Sequence, residues 1–445
     1  MKHRNLISLF FTALIAFAPS GTRYIFYTGK IVGHSVEPGT VSIFAMQVVA
    51  LIFCALVFLS HGWDELIKAF KSRATICAAL VAVFALLSSF QAVDALAGVT
   101  AALNVVLGVA VYFAIVMFRP EPLEVLTAFV GGAVFQVLLG GYQFFTQSAF
   151  ASKWLGMATH SAAQLGAFVV ETDSGRWLRA YGSLSHPNIF GLYVGIGLLT
   201  CIGVAAFRGH GKHLMFYALM PLVTAGLLFS FSRSALLAVA AGFVWMTISA
   251  FGSEAAPTFR RIMAPAFMII VITFSVLGYL YAEPLRTRTV AAGRLEAQSI
   301  GQRGSQFEDA MSLFSRHAIT GVGVGQMPLA LARESATERD WWLYDYVHNV
   351  PALILVETGL LGLVSWLGFV WFTLDIIRRR LTFRKATMST GVTVYGAAFI
   401  ALLTAAMFDH FLWSSWFGQL LFWSIAGLLR AAFLHFQDLH PKELS

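Results

Sequence analysis

Charge is what this chain of 445 residues has least of: 12% of its residues are Asp, Glu, Lys or Arg and 58% are hydrophobic, at a mean hydropathy of +0.75. An ordinary soluble domain is excluded, because no compact globule could hide that much apolar side chain from water. Cysteine is equally scarce. Cys54, Cys77 and Cys201 fall within apolar runs with no ligand-like spacing, so neither a disulfide framework nor a thiolate metal centre is indicated. A Walker loop, a Rossmann glycine set and a DxD-like acidic pair in an outer connection are all missing, and with them the usual handles for nucleotide-driven chemistry. No cofactor, metal ion or nucleic-acid partner is expected.

What the chain does have is long apolar runs, rich in Gly (38) and Phe (40). Their length predicts helices rather than the short alternating strands of a barrel, and almost no β structure. The fold class is therefore all-α: one polytopic transmembrane domain over 1–445. About twelve spans are expected, near 5–20, 41–60, 75–93, 97–118, 123–146, 188–207, 214–232, 235–251, 263–282, 350–376, 390–408 and 412–433. The first stretch lacks a clear small-x-small cleavage site and is kept as a helix.

Orientation follows from the basic residues. If the N-terminus is cytoplasmic, the inner connections hold Lys2, Arg4, Lys68, Lys71, Arg73, Arg119, Arg208, Lys212, Arg260, Arg261, Arg378, Arg379, Arg380, Arg384, Lys385, Arg430 and Lys442. That is the bias the positive-inside rule requires, and it puts both termini inside. Two longer connections then face outward: a loop over 147–187, and a large one over 283–349 between the ninth and tenth helices.

Lysine is nearly missing from the outer side, with only Lys30 and Lys153 against Arg23, Arg176, Arg179, Arg233, Arg286, Arg288, Arg294, Arg303, Arg316, Arg333 and Arg339. The planar guanidinium fork suits bidentate recognition of phosphate or carboxylate, so an anionic ligand is inferred. The competing reading is internal ion pairing, since 283–349 also carries Glu283, Glu296, Glu308, Asp309, Glu334, Glu338, Asp340 and Asp345. Arg233 is different. It sits in a short hairpin between two apolar spans, where an unpaired cation costs on the order of 2–3 kcal/mol, so it should either have a partner or snorkel as an interface anchor.

The stretch "HNVPALILVETGLLG" has His348 and Asn349, then nine residues, then Gly359 and Gly362; "RSALL" has Arg233 four residues before Leu237. Both resemble signatures of the bacterial O-antigen ligase family, which shares a superfamily with O-antigen polymerases and protein O-oligosaccharyltransferases. "GSLSHPNIFGLYV" at 182–194 and "QRGSQFEDAMSLFSRHAITGVGVGQ" at 302–326 resemble two further elements of that group. "GVGVGQ" and "SHPN" are similar to its protein-glycosylating branch.

This resemblance implies a multi-pass protein of the bacterial inner membrane. It implies an enzyme that takes a glycan from an undecaprenyl diphosphate carrier on the periplasmic face and passes it to an acceptor hydroxyl. The acceptor is a lipid A-core sugar for ligases, the next repeat unit for polymerases, and Ser or Thr for the protein enzymes. In that reading Arg233, Arg303, Arg179 and Arg176 grip the donor diphosphate and offset the charge that grows on the leaving group. His348, with a reference pKa of about 6.5, is the general base of an inverting, metal-independent displacement. Asn349 or His348 caps the helix that begins at Val350. His186 and Asn188 orient acceptor or donor.

Glu357, about 13 Å further along that helix, is expected to bond a neighbouring helix, and Gly359 and Gly362 to permit close helix packing. His160, His317 and His410 read as solvated loop residues, with Asp409 beside His410 as a second polar pair. A transporter or flippase for lipid-linked glycans stays as the non-enzymatic alternative, although no internal repeat between halves is evident. A peptidoglycan-polymerase type of carrier enzyme would be expected to use an outer-loop Asp where this chain has His.

Overall fold

The computed structural model describes residues 2–208, 214–251, 257–290, 294–382 and 390–439. Lys212, Arg384, Lys385 and Lys442, assigned above to the inner side, lie outside the described residues. The chain begins with α1 (Lys2–Ala16), α2 (Ala45–Phe70), α3 (Arg73–Ser88), α4 (Ala95–Phe118), α5 (Pro122–Thr146), α6 (Pro187–Arg208), α7 (Leu214–Phe229), α8 (Arg233–Phe251) and α9 (Pro257–Leu280). Three helices follow that do not belong to the apolar set: α10 (Ala282–Val290), α11 (Arg294–Arg316) and α12 (Met327–Glu334). Last come α13 (Val350–Thr382), α14 (Thr390–Ala406), the single turn α15 (Phe411–Ser414) and α16 (Trp416–Leu439).

Among the described residues, nine helices are long and apolar enough to cross a membrane, and three shorter apolar helices, in α1, α7 and α14, complete the expected twelve. Their starts follow ordinary chemistry. Asp94 accepts from Ala97 N at 3.0 Å and caps α4, while Pro122 and Pro187 open α5 and α6, where a missing N–H is harmless. Helix α6 is buried along nearly its whole length and packs against α5, α7, α8 and α14, which makes it the axis of the bundle.

Two features depart from expectation. The connection after α1 is an antiparallel hairpin, β1 (Arg23–Ile31) with β2 (His34–Phe44), where almost no β structure was expected. Its cause is legible in hindsight: "RYIFYTGKI" is rich in aromatic and β-branched residues, and Val32–Gly33 turns with positive φ at both positions. The 147–187 connection adds the short strands β3 (Ser148–Ala149), β4 (His160–Ser161), β5 (Val169–Thr172) and β6 (Gly175–Leu178). The second departure is that the 283–349 connection is mostly helix. Gln306, Ala310 and Leu313 are buried at i, i+4 and i+7, so α11 lies on the bundle by one face.

Helix α13 is broken at Gly359, whose φ is 70°. Residues 318–323 thread into the break: Val322 N donates to Val356 O at 3.0 Å, Gly323 N to Glu357 O at 2.9 Å, and Leu360 N to Ala318 O at 3.0 Å. A Cβ on Gly359 would lie 2.1 Å from Ile319 O. The close approach expected at this glycine is thus to a loop backbone and not to a neighbouring helix. Glu357 ties the same junction, accepting from Trp413 Nε1 at 2.9 Å and Met327 N at 3.3 Å.

Candidate functional site

The α13 half-helix from Val350 to the break runs alongside the end of α14, and this brings His348 to Asp409 and His410. Asn349 fixes the start. Its Oδ1 accepts from Ala352 N at 2.9 Å, so Asn349 is the cap, and its Nδ2 donates to Met407 O at 3.2 Å. His348 is thereby held one residue outside the helix. Its Nδ1 lies 2.8 Å from Gln306 Oε1 on α11. With an amide oxygen as partner, Nδ1 carries the proton and Nε2 keeps its lone pair.

His410 packs edge-on against His348, with ring centroids 4.9 Å apart, and its Nδ1 lies 2.7 Å from Ser414 Oγ. The reading of His410 as a solvated loop residue is corrected here: the turn after α14 aims it into the site. Burial, then the neighbouring His410, lowers the His348 pKa, with Arg303 adding to the effect and Asp409 and Asp345 opposing it. The ring is accordingly neutral over a wider acid range than a free imidazole.

Asp409 begins a hydrogen-bond chain that leads away from the imidazoles. Burial disfavours its charge, but His410, His348, His186 and the Asn188 amide outweigh burial and hold its pKa down to about 2. Asn188 Nδ2 donates to Asp409 Oδ2 at 3.0 Å, and Asn188 Oδ1 accepts from Arg179 Nη2 at 2.7 Å. Arg179, buried, also donates through Nε to Ser230 O at 2.8 Å. On the next carbonyl of the same turn, Phe231 O accepts from Arg288 Nε at 3.0 Å.

Phe231 has φ 46°, and the turn ends at Ser232, whose Oγ accepts from Ala235 N at 3.3 Å and caps α8. Arg233 is the first residue of that helix. Arg179 and Arg288 thus grip the turn from which Arg233 emerges, at a helix N-terminus where the backbone dipole already favours an anion.

The placement of Arg179 is set by α5. Gln143 Oε1 accepts from Tyr181 N and Gly182 N at 3.0 and 2.9 Å, Gln136 Oε1 from Ser183 N at 2.8 Å, and Gln147 Oε1 from Leu178 N at 2.7 Å. His186 closes the segment, its Nδ1 accepting from Asn188 N at 2.9 Å. Burial pushes its pKa down to about 3; Asp409 opposes that shift, and Arg179, His348 and His410 reinforce it. His186 is therefore a neutral positioning group.

Of the residues expected from sequence, the structure joins His348, Asn349, Arg179, His186 and Asn188 in one polar assembly, with Arg303 within electrostatic range of His348. Arg233 enters through the α7–α8 turn. Arg176 does not join: it lies on β6, 3.7 Å from Glu171. Sequence reasoning missed Gln306, Arg288 and the role of Asp409 and His410. Gln306 had a signal, since it shares the buried α11 face with Ala310 and Leu313. Arg288 had none that sets it apart from exposed Arg286. Asp345, His348 and His410 also offer ligand atoms within 4.8 Å of one another, a donor set with the chemistry to take a transition-metal ion.

Residues 217–367 match the family model described as O-antigen ligase. No curated protein matches the chain. The matched segment carries Arg233, Arg288, Arg303, Gln306, His348 and Asn349, whereas Arg179, His186, Asn188, Asp409 and His410 lie outside it.

Proposed function

For this chain, a member of the O-antigen ligase family through residues 217–367, we propose the reaction of an inverting, metal-independent glycosyltransferase at the periplasmic face of the bacterial inner membrane. The donor is a glycan on undecaprenyl diphosphate, and the acceptor is a hydroxyl of the lipid A-core. His348 Nε2 takes the proton of that hydroxyl as its oxygen attacks the anomeric carbon, and the bond from that carbon to the diphosphate oxygen breaks. Ionised Asp409 stabilises the imidazolium that forms. Arg233, with Arg179 and Arg288 around it and Arg303 nearer the imidazole, carries the charge released on the diphosphate.

The observation that carries this reading is the hydrogen-bond chain from Asp409, within electrostatic range of His348, through Asn188 and Arg179 to the α7–α8 turn. It couples a free imidazole lone pair to a cluster of guanidiniums at one end of the bundle. A base in this position contributes roughly 10²–10⁴-fold to such a reaction.

The test is purified protein in detergent with an undecaprenyl diphosphate glycan and a panel of acceptors: lipid A-core, a second lipid-linked repeat unit, and a Ser/Thr peptide. Transfer to lipid A-core alone, unchanged by a chelator, supports the ligase reading. Transfer to the second repeat or the peptide reassigns the acceptor, and loss of activity on chelation would make the Asp345, His348 and His410 set a metal centre. Movement of the carrier with no glycosidic bond made would turn the chain into a transporter.

A further inference from the structure

A cavity of about 530 Å³ lies away from the His348 end. It is lined by Arg4 and Ile7 of α1, Ser60 and His61 of α2, Phe118 to Pro122 between α4 and α5, Tyr395 of α14, and Leu428, Ala431, Ala432 and His435 of α16. Helix α16 starts beside Asp409 and His410, and Ala432 lies sixteen residues further on, so the two sites stand about 24 Å apart along the helix axis. The proposed transfer chemistry leaves this cavity without a role.

Its walls are divided in chemistry. Arg4, Arg119, His61 and His435 face it against a single acidic group, Glu121, while Ile7, Phe118, Leu428 and the two alanines form an apolar side. Arg119 is held by an ion pair with Asp438, both partners well exposed. Just behind the wall, Arg430 has a buried Nε with no hydrogen-bond partner. Cationic donors above an apolar slot are the pattern that receives the headgroup and first acyl carbons of an anionic lipid.

The surroundings place this cavity at a membrane boundary. Helix α2 breaks at Gly62, whose φ is 71°. The piece beyond it presents Trp63 and Ile67 to the outside, 78% and 58% exposed, next to Lys68, Lys71 and Arg73. Exposed aromatic and aliphatic side chains beside a run of cations are the composition of a helix lying in a bilayer interface. Leu59, 85% exposed, stands immediately beside Ser60 of the cavity wall, so lipid chains and the basic pocket are neighbours.

We propose that this cavity binds the phosphodiester headgroup of an anionic glycerophospholipid, of the phosphatidylglycerol or cardiolipin class, from the leaflet at the end of the bundle that carries the start of α1 and the end of α16. The inference is independent of the transfer reaction. It draws on the cavity, its paired arginines and histidines and the interfacial piece of α2.

The experiment is native mass spectrometry of the full chain released from nanodiscs of equal phosphatidylcholine and phosphatidylglycerol, repeated with cardiolipin in place of phosphatidylglycerol. The wild-type protein retains anionic lipid over phosphatidylcholine, and the Arg4→Gln/His435→Gln double variant, altered at two exposed positions, loses most of that preference, by about five- to tenfold. Arg119→Lys keeps the charge and the Asp438 pair and retains the lipid. Equal retention of both lipid classes overturns the proposal, as does an unchanged preference in the double variant. Displacement of the bound lipid by millimolar inorganic phosphate also overturns it, and makes the cavity a site for a soluble phosphate.

Discussion

Two sets of arginines on the same side of this bundle look alike in sequence and differ in what they touch. In the α11–α12 region Arg316 meets Glu334 at 2.9 Å and Arg339 meets Asp309 at 2.7 Å, so each charge is already answered by a carboxylate. Around the α7–α8 turn Arg179 and Arg288 bond backbone carbonyls and, for Arg179, an amide, neutral partners that fix each guanidinium against the turn. The first set ties its loop to itself, whereas the second is arranged around the turn that carries Arg233. His348 belongs with the second set too, since its fixed partner is the neutral amide of Gln306.

The largest expected effect is at that imidazole. His348→Ala should slow transfer by at least about 100-fold while the protein stays folded, since the lost Gln306 hydrogen bond costs only about 1–2 kcal/mol. Wild-type rates would remove His348 from the chemistry and break the comparison. Arg179→Met comes next: it leaves Ser230 O and Asn188 Oδ1 without a donor, a loss of about 2–4 kcal/mol in stability together with weaker donor binding. Thermal unfolding and donor titration separate the two parts.

A smaller effect should appear in the pH profile. Because the His348 pKa is lowered, the ring stays unprotonated below its ordinary value, and the acid limb of the transfer rate falls below about pH 6.5. His410→Gln removes one of the influences that lower it, so the limb should move to higher pH in a rate series over pH 4–8. A limb that stays in place would mean another group sets it. The smallest effect is assigned to the first set: Arg339→Gln should change stability by less than about 1 kcal/mol and leave transfer at the wild-type rate. A large loss of transfer there would erase the distinction between the two sets.

The bundle was legible because hydropathy is a property of local runs, and among the described residues the nine long apolar helices and the three shorter ones lie close to where the apolar stretches predict them. The hairpin over 23–44 was not, since a short run of Tyr, Ile and Phe reads equally as the approach to a span. In the site, His348, Asn349 and Arg179 could be named from residue type and position. Their partners could not. Asp409 and Asn188 are far apart in the chain, and only the antiparallel course of α14 against α6 joins them. The arginines show the same limit: composition counts guanidiniums, whereas the difference between a carboxylate and a carbonyl neighbour is made in three dimensions.

The interruption at Gly359 gives a meaning to the number of residues that precede it. Everything between Asn349 and that glycine is one rigid rod, pinned at its far end by the backbone of 318–323, so the rod acts as a ruler and a compass for the imidazole at its tip. Adding or deleting one residue anywhere within 350–358 would swing His348 by about 100° and shift it about 1.5 Å. Such an edit would disarm the protein while every side chain named above remained in the sequence.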